Sequence, residues 1–380
     1  MNKKFLPFAL PDIGEEEINE VVDSLKSGWI TTGPKTKRFE EEFAKYIGTK
    51  HAIAVNSATA GLHLALDALG ICRGDKVITS TYTFTATAEV IRYFDADPIF
   101  CDIKEDTFNI DVDKLEKLII EHKPKVVIPV HIAGQSADMD RILKLKEKYH
   151  FKILEDAAHA LPTTHNGRLI GSIGDITVFS FYATKTLATG EGGMITTDND
   201  DYKARMNIMR LHGLNRDAWD RYTSNKSSWF YEIVAPGYKY NMTDIASAMG
   251  IHQLKKIDKF FERRNQIAKE YDQAFSNNPK IKIPFIINKS DKHAYHLYII
   301  QIDEKKRDQF IETMREKNIG CSVHFIPLHL HPYWKTTYHL KEEDFPVATR
   351  TYKSAVSLPL YTKMTDEDVK NVIQAVNGSL

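Results

Sequence analysis

The sequence predicts an α/β protein with a large domain over residues 1–250, built on a mixed, mostly parallel sheet, and a smaller α+β domain over 251–380. Three observations predict it. From His51 to Thr197, short β-branched runs alternate with helical stretches, the pattern of a sheet buried on both faces. Near residue 250 that rhythm gives way to a long charged helical stretch. A length of 380 residues, at roughly 150 per domain, allows two or three domains with sizeable cores.

Taken in order, EEEINEVVDSLKSG is an amphipathic helix that Gly28 can end as its C′ residue. The loop SGWITTGP leads to a second helix, TKRFEEEFAKYIG, with Phe39, Phe43 and Ile47 at helical spacing. HAIAVNS reads as a buried strand, AGLHLALDALG as a helix, KVITS as a strand, TATAEVIRYF as a helix and PIFCDI as a strand. KVVIPVH, KILEDA, ITVFSF and GGMITT continue the strands, with DMDRILKLKEKYH among the helices between them. Past 250, MGIHQLKKIDKFFERRNQIAKEYDQAFS predicts one long helix joining the domains. HLYIIQI, RDQFIETMREKNI, CSVHFI and DEDVKNVIQAVN then read as strand, helix, strand and closing helix.

Composition narrows the function. With 51 Lys+Arg against 51 Asp+Glu the formal charge is zero, which gives no support to nucleic acid or an anionic membrane as partner. Apolar residues at 42% and charged residues at 27% describe an ordinary folded chain. The three cysteines are widely spaced without a CxxC pair, against a disulfide framework or a structural zinc site. The N-terminal apolar patch is broken by Pro7, Pro11 and an acidic run, too soon for a secretory signal, and no run approaches a membrane span. A cytoplasmic location is expected.

Five stretches can carry chemistry. In SFYATKTLATGEGGMITT, Lys185 follows an apolar strand and precedes Gly190, Gly192 and Gly193, where backbone can turn or approach closely. An uncharged amine there can condense with a carbonyl; the alternative is an ordinary loop lysine. In KILEDAAHA a strand delivers Glu155 and Asp156 at its carboxyl end, where open α/β sheets place ligands. A buried acid needs a cation such as a protonated pyridine nitrogen; Asp156 as a helix cap is the other reading. His159 lies three residues on. In VNSATAGLHLAL, Ser57, Thr59 and the amides of Ala60 and Gly61 can hold a phosphate at a helix N-terminus. Phe84, in TYTFTATAEV, can lie flat on a planar ring or simply fill the core. SVHFIPLHLHP carries His324, His329 and His331, but Pro327 interrupts them and no acid or thiol joins them, so no metal is assigned. A phosphate cradle, an aromatic face, an acid and an amine are together the four contacts pyridoxal phosphate needs.

The motifs SGWITTGPKTKRFEEEFA, HAIAVNSATAGLHLAL, PVHIAGQSADMD, EDAAHA, SFYATKTLATGEGGM, GYKYNMTDIASAMGIHQL and SLPLY resemble, in order, those of the DegT/DnrJ/EryC1/StrS sugar aminotransferases. GWITTGPK, EDAAHA and GYKYN look most like members acting in spore-coat polysaccharide and 4-amino-4-deoxy-arabinose synthesis. The resemblance implies a fold type I pyridoxal phosphate transferase, aspartate-aminotransferase-like, working as a homodimer with its sites at the interface. It implies that Lys185 is the catalytic Schiff-base lysine, that Asp156 pairs with the ring nitrogen and that His159 stands beside the ring. Ser180, Thr59 and Ala60 would hold the phosphate and Phe84 would cover the ring. Where many members read GYNYR, reaching the partner subunit's phosphate, this chain reads GYKYN, so Lys239 and Asn241 take those places. Trp29, Thr32, His324 and His329 are the candidates on the substrate side. The implied reaction moves an amino group from L-glutamate, leaving 2-oxoglutarate, to a nucleotide-linked keto-sugar at C4 or less often C3. Related sugar dehydratases carry His at the lysine position, so Lys185 favours transamination over dehydration, while the neutral charge and the lack of an appended helix-turn-helix argue against a DNA-binding regulator on the same fold.

Overall fold

Seven strands form the central sheet in the order β1-β9-β8-β5-β4-β2-β3. They are β1 His51–Val55, β2 Lys76–Ser80, β3 Asp97–Cys101, β4 Val126–Ile128, β5 Lys152–Asp156, β8 Ile176–Ser180 and β9 Gly193–Thr197. The hairpin β6 Thr164–His165 and β7 Arg168–Leu169 stands apart from them. Strand β9 runs antiparallel to both of its neighbours, and the pairs β8·β5, β5·β4, β4·β2 and β2·β3 are parallel. The mixed, mostly parallel sheet expected from the sequence is therefore present. The computed structural model describes residues 5–215 and 230–380; the first four residues of the N-terminal run lie outside these.

Helices α1 Glu15–Ser27 and α2 Pro34–Ile47 precede β1, and α3 Ala58–Ala68, α4 Ala86–Arg92, α5 Val112–His122, α6 Met139–Tyr149 and α7 Asp200–Met209 alternate with the strands. The apolar face of α3 buries Leu62 and Leu66 against Val77, Val178 and Ile195 on one side of the sheet. On the other side Leu115, Ile119 and Ile142 of α5 and α6 pack on Ile78, Val127 and Ile153. Each such side chain contributes about 1.5–3 kcal/mol by leaving water. Every strand of the parallel part is thereby covered on both faces, which explains its unbroken apolar runs.

Two glycines set how close α3 lies to the sheet, and a Cβ on the first, Gly61, would stand 2.7 Å from Val178 Cγ1. A Cβ on Gly193 would stand 2.8 Å from the Phe179 carbonyl oxygen and 2.9 Å from the Ala58 nitrogen, both backbone atoms. Gly193→Ala is therefore expected to cost about 1–3 kcal/mol through forced backbone shifts. The check is a lower denaturant midpoint with an unchanged slope.

Helices α8 Asp244–Lys255 and α9 Ile257–Phe275 lead out of this layer. The single helix expected here is divided at Lys256, where ψ is −2° and the N–H turns to the Gln253 and Leu254 carbonyls. Ile257 and Phe260 still pack with Phe39 and Leu254, whereas Ile267, Tyr271 and Phe275 join a second core with Tyr298, Phe310 and Val356. The two cores thus part within α9, beyond residue 250.

Around the second core stand α10 Arg307–Glu316, α13 Asp366–Asn377 and the antiparallel pair β10 Tyr298–Gln301 and β11 Ala355–Leu358, whereas α11 Pro332–Thr337 and α12 Pro346–Ser354 set Trp334 and Ala348 against Tyr82, Phe100 and Leu297 in a cluster shared with the large sheet. The N-terminal segment returns to this unit, since Leu6 donates to the Asn318 carbonyl at 2.8 Å. The strand expected for CSVHFI does not form; Ser322 pairs with Ser357 and the rest is irregular. The run is drawn off the small sheet toward the large one, where Leu328 donates to the Thr81 carbonyl and the Tyr82 hydroxyl to that of His324, each at 2.8 Å.

Candidate active site

The carboxyl ends of β1, β2, β5 and β8 open on a cavity of about 340 Å³ between the two cores. Open parallel sheets place ligands at this edge because strand ends and helix N-termini converge there. Ser57, Thr59, Phe84, Asp156, Ser180 and Lys185 all line it, although the chain positions span well over a hundred residues. His159, His296 and His324 complete the wall nearest the amine.

The segment after β8 turns sharply. Phe181 donates to the Gly192 carbonyl and Thr189 to that of Phe181, both at 2.9 Å, so the loop closes on itself. Lys185 is held at its centre, its N–H donating to the Tyr182 carbonyl at 2.8 Å. Burial pushes the Lys185 ammonium down to about 8, against the pull of Asp156. The amine is therefore uncharged in a useful fraction of molecules near neutral pH.

Asp156 ends β5 as a buried acid. Its oxygens accept from Thr87 Oγ1 at 2.8 Å and from the Ala158 N–H at 3.1 Å. No helix follows at this point, so Asp156 closes a turn instead of capping a helix. Burial raises its proton affinity above the usual carboxylate range, although Thr87, Ala158 and Lys185 work the other way. Its neighbour Glu155 points into a separate network. Burial opposes its ionisation, but bonds from His131 Nε2 at 2.9 Å, Gly174 N–H at 2.7 Å and Thr177 Oγ1 at 2.8 Å outweigh that and hold it below the ordinary range.

Three imidazoles surround the amine. The His159 ring lies 4.3 Å from that of His296, and its Nδ1 accepts from the Ala133 N–H at 3.3 Å. Burial, with Lys185 and His324 nearby, holds His159 well below its ordinary pKa, and burial brings His324 down to about 4. His324 bonds Ser357 Oγ at 2.9 Å and stacks on Phe8.

On the same cavity Ser57 caps α3, its Oγ accepting from the Ala60 N–H at 3.1 Å. Ala60, expected among the phosphate contacts, is therefore engaged and sits in the core, and Ala58 takes its place on the wall beside Thr59. Phe84 stands on the rim, 60% exposed. A larger cavity of about 700 Å³ adjoins it there, sharing Thr83, Phe84 and Phe325 and walled by Tyr93, Tyr333 and Trp334.

Four expected residues lie away from this cavity, and a fifth is sealed off from it. The Lys239 carbonyl accepts from Asn56 Nδ2 at 3.3 Å, and Asn241 continues the sheet edge by bridging Val55. Asn241 Nδ2 donates to Thr32 Oγ1 at 2.6 Å, and both line a separate cavity of about 200 Å³ with Arg210. Trp29 donates its Nε1–H to the Thr32 carbonyl at 3.0 Å. His329 is a correction: it is fully buried, its Nδ1 bonded to Thr81 and its Nε2 to Thr349, and it has no face left for a substrate. Thr87 and His296 went unread in the sequence. The first sits inside a helix run, and the second opens the strand-like HLYIIQI.

The donor set fits pyridoxal phosphate: a buried acid with no guanidinium beside it among the described residues, an amine of depressed pKa, and a helix N-terminus, all on one cavity. Residues 11–377 match the DegT/DnrJ/EryC1/StrS aminotransferase family. The spore coat polysaccharide biosynthesis protein SpsC of Bacillus subtilis is 52% identical over 98% of this chain and 96% of its own. The Streptococcus pneumoniae protein Spr1654, solved in a PMP form, is 37% identical, with a TM-score of 0.92 and 98% of each chain covered. Helicobacter pylori PseC, an aminotransferase involved in pseudoaminic acid biosynthesis, is 29% identical with a TM-score of 0.91 over 99% of each chain.

Proposed function

The chain belongs to the DegT/DnrJ/EryC1/StrS aminotransferase family, and from that premise we infer that it carries an amino group from L-glutamate to the C4 keto group of a nucleotide-linked keto-sugar. It is a sugar aminotransferase, and its cofactor is pyridoxal phosphate, the form in which Spr1654 has also been solved. The observation that carries the finer reading is the meeting of Lys185 and Asp156 in one cavity whose mouth adjoins the larger, aromatic-walled one. That larger space suits a nucleotide. Likeness to SpsC supports a product destined for a surface polysaccharide.

Pyridoxal phosphate, when bound, supplies an electron sink for the carbon that exchanges its proton. Asp156 keeps the ring nitrogen protonated, and Thr87 and the Ala158 N–H keep Asp156 in place. Thr59, Ser180 and the first turn of α3 hold the phosphate, and Phe84 with His159 bounds the ring. Lys185 would hold the cofactor through its amine and, as an uncharged base, would move the proton to and from the substrate carbon. His324 is assigned to the sugar side of this cavity, and Trp29, which lies away from it beside Thr32, to the sugar side of a second subunit's site. Lys239, Asn241 and Thr32, none of which lines this cavity, are assigned to the site of a second subunit in a homodimer.

The test is the visible spectrum of the purified protein reconstituted with pyridoxal phosphate. A yellow band that bleaches with L-glutamate and returns with a UDP-4-keto-sugar is expected. A band indifferent to L-glutamate would overturn the donor, and failure to take up the cofactor would overturn the reading.

A further inference from the structure

His296 has no part in the mechanism above, yet it touches Lys185. Its Nε2 lies 3.5 Å from Lys185 Nζ, its ring packs on His159 with centroids 4.3 Å apart, and the residue is 6% exposed. Its backbone is pinned from behind. Arg264, itself buried, donates to the carbonyls of Tyr295 at 3.0 Å, His296 at 3.4 Å and Leu360 at 2.9 Å.

The other ring nitrogen sets the tautomer. Nδ1 is buried and without a hydrogen-bond partner among the described residues. A buried N–H left unpaired is rarer and costlier than an unused lone pair, so the ring proton belongs on Nε2, toward the amine. Only an uncharged amine can accept it, because an ammonium has no lone pair to offer.

We propose that His296 is a positioning residue whose Nε2–H donates to the lone pair of the uncharged Lys185 amine, holding that amine ready in the cavity. The proposal rests on Lys185 being the lysine that carries the cofactor. Around the amine, Asp156 draws it toward the charged form, and Tyr182, Glu191, His159 and His324 line the same cavity. Burial first, then His159, Lys185 and the Arg264 cation, keep His296 itself neutral, so it does not become a second ammonium-like donor as pH falls toward 7.

The experiment follows covalent attachment of pyridoxal phosphate to the apo-protein across pH, read from the visible band, with Lys185→Ala as blank. In attachment the amine nitrogen bonds the aldehyde carbon and the aldehyde oxygen leaves as water. In the wild type the rate is expected to rise through about pH 8. In His296→Phe the midpoint is expected to rise by about one unit, lowering the rate at pH 7 about tenfold. His296→Gln, whose amide nitrogen reaches the place of Nε2, is expected to restore the profile, and His296→Asn, one carbon shorter, is not. The pair Gln and Asn decides the matter if the Phe variant does not fold. Identical midpoints in wild type and all variants, even with a lowered melting temperature, would overturn the proposal and leave Lys185 in its role. A wild-type protein that forms no Lys185-dependent band would overturn the role of Lys185 and the proposal with it.

Discussion

Replacing Lys185 by alanine is expected to remove turnover, by on the order of 10⁴-fold, the upper end for a positioned acid–base group. The fold is expected to survive, because the loop holding Lys185 is closed by backbone bonds of Phe181, Thr189 and Gly192 that the substitution leaves alone. Stability gives an independent check with a definite sign. The lysine falls from an ordinary 10.5 to about 8 in the folded chain, so folding favours its neutral form. The unfolded chain binds the extra proton between those values, so the wild type gains stability as pH rises from about 8 to 10.5. The variant lacks that penalty and is expected to be the more stable one below pH 8, with the difference fading above it. Denaturant titrations of both proteins at pH 7 and pH 10 test this. A variant that keeps more than a few per cent of turnover sinks the assignment.

Asp156→Asn is expected to lower turnover by about 10²–10³-fold, the scale for losing one preorganised electrostatic contact. Its amide oxygen can still accept from the Ala158 N–H, and its Nδ2 can donate to Thr87 Oγ1 once that hydroxyl turns, so the fold is expected to be little disturbed. The same change removes the anion that draws Lys185 toward its charged form, so the midpoint for cofactor attachment should fall below about 8. The two readouts move in opposite senses: the amine becomes free more readily while catalysis collapses. A merely structural aspartate would lower turnover and slow cofactor attachment together. Turnover unchanged in this variant would remove Asp156 from the ring nitrogen.

How far the sequence was readable follows from what each residue depends on. The strand runs HAIAVNS, KVITS, KILEDA and ITVFSF announced themselves because both faces are buried, and their ends placed Ser57, Asp156 and Ser180 at one edge. The identity of Lys185 as more than a loop lysine came from the family likeness. Thr87 and His296 were invisible because their partners lie 69 and 111 residues away, and only packing brings them together. The three histidines of SVHFIPLHLHP misled through mere adjacency. The segment leaves the sheet after Ser322, so His324 reaches the cavity while His329 is sealed between Thr81 and Thr349. The division of the long helix at Lys256 carries no Gly or Pro to mark it.

The antiparallel placement of β9 beside β8 has a consequence for kinetics. The loop of Lys185 leaves from one strand and returns on its immediate neighbour, roughly 4.8 Å away. Such a tether confines the amine to a small volume and presents it to its target at a very high effective molarity, of the order reached by intramolecular reactants. If Lys185 carries the cofactor as proposed, its return to the same target needs no rearrangement of the two cores.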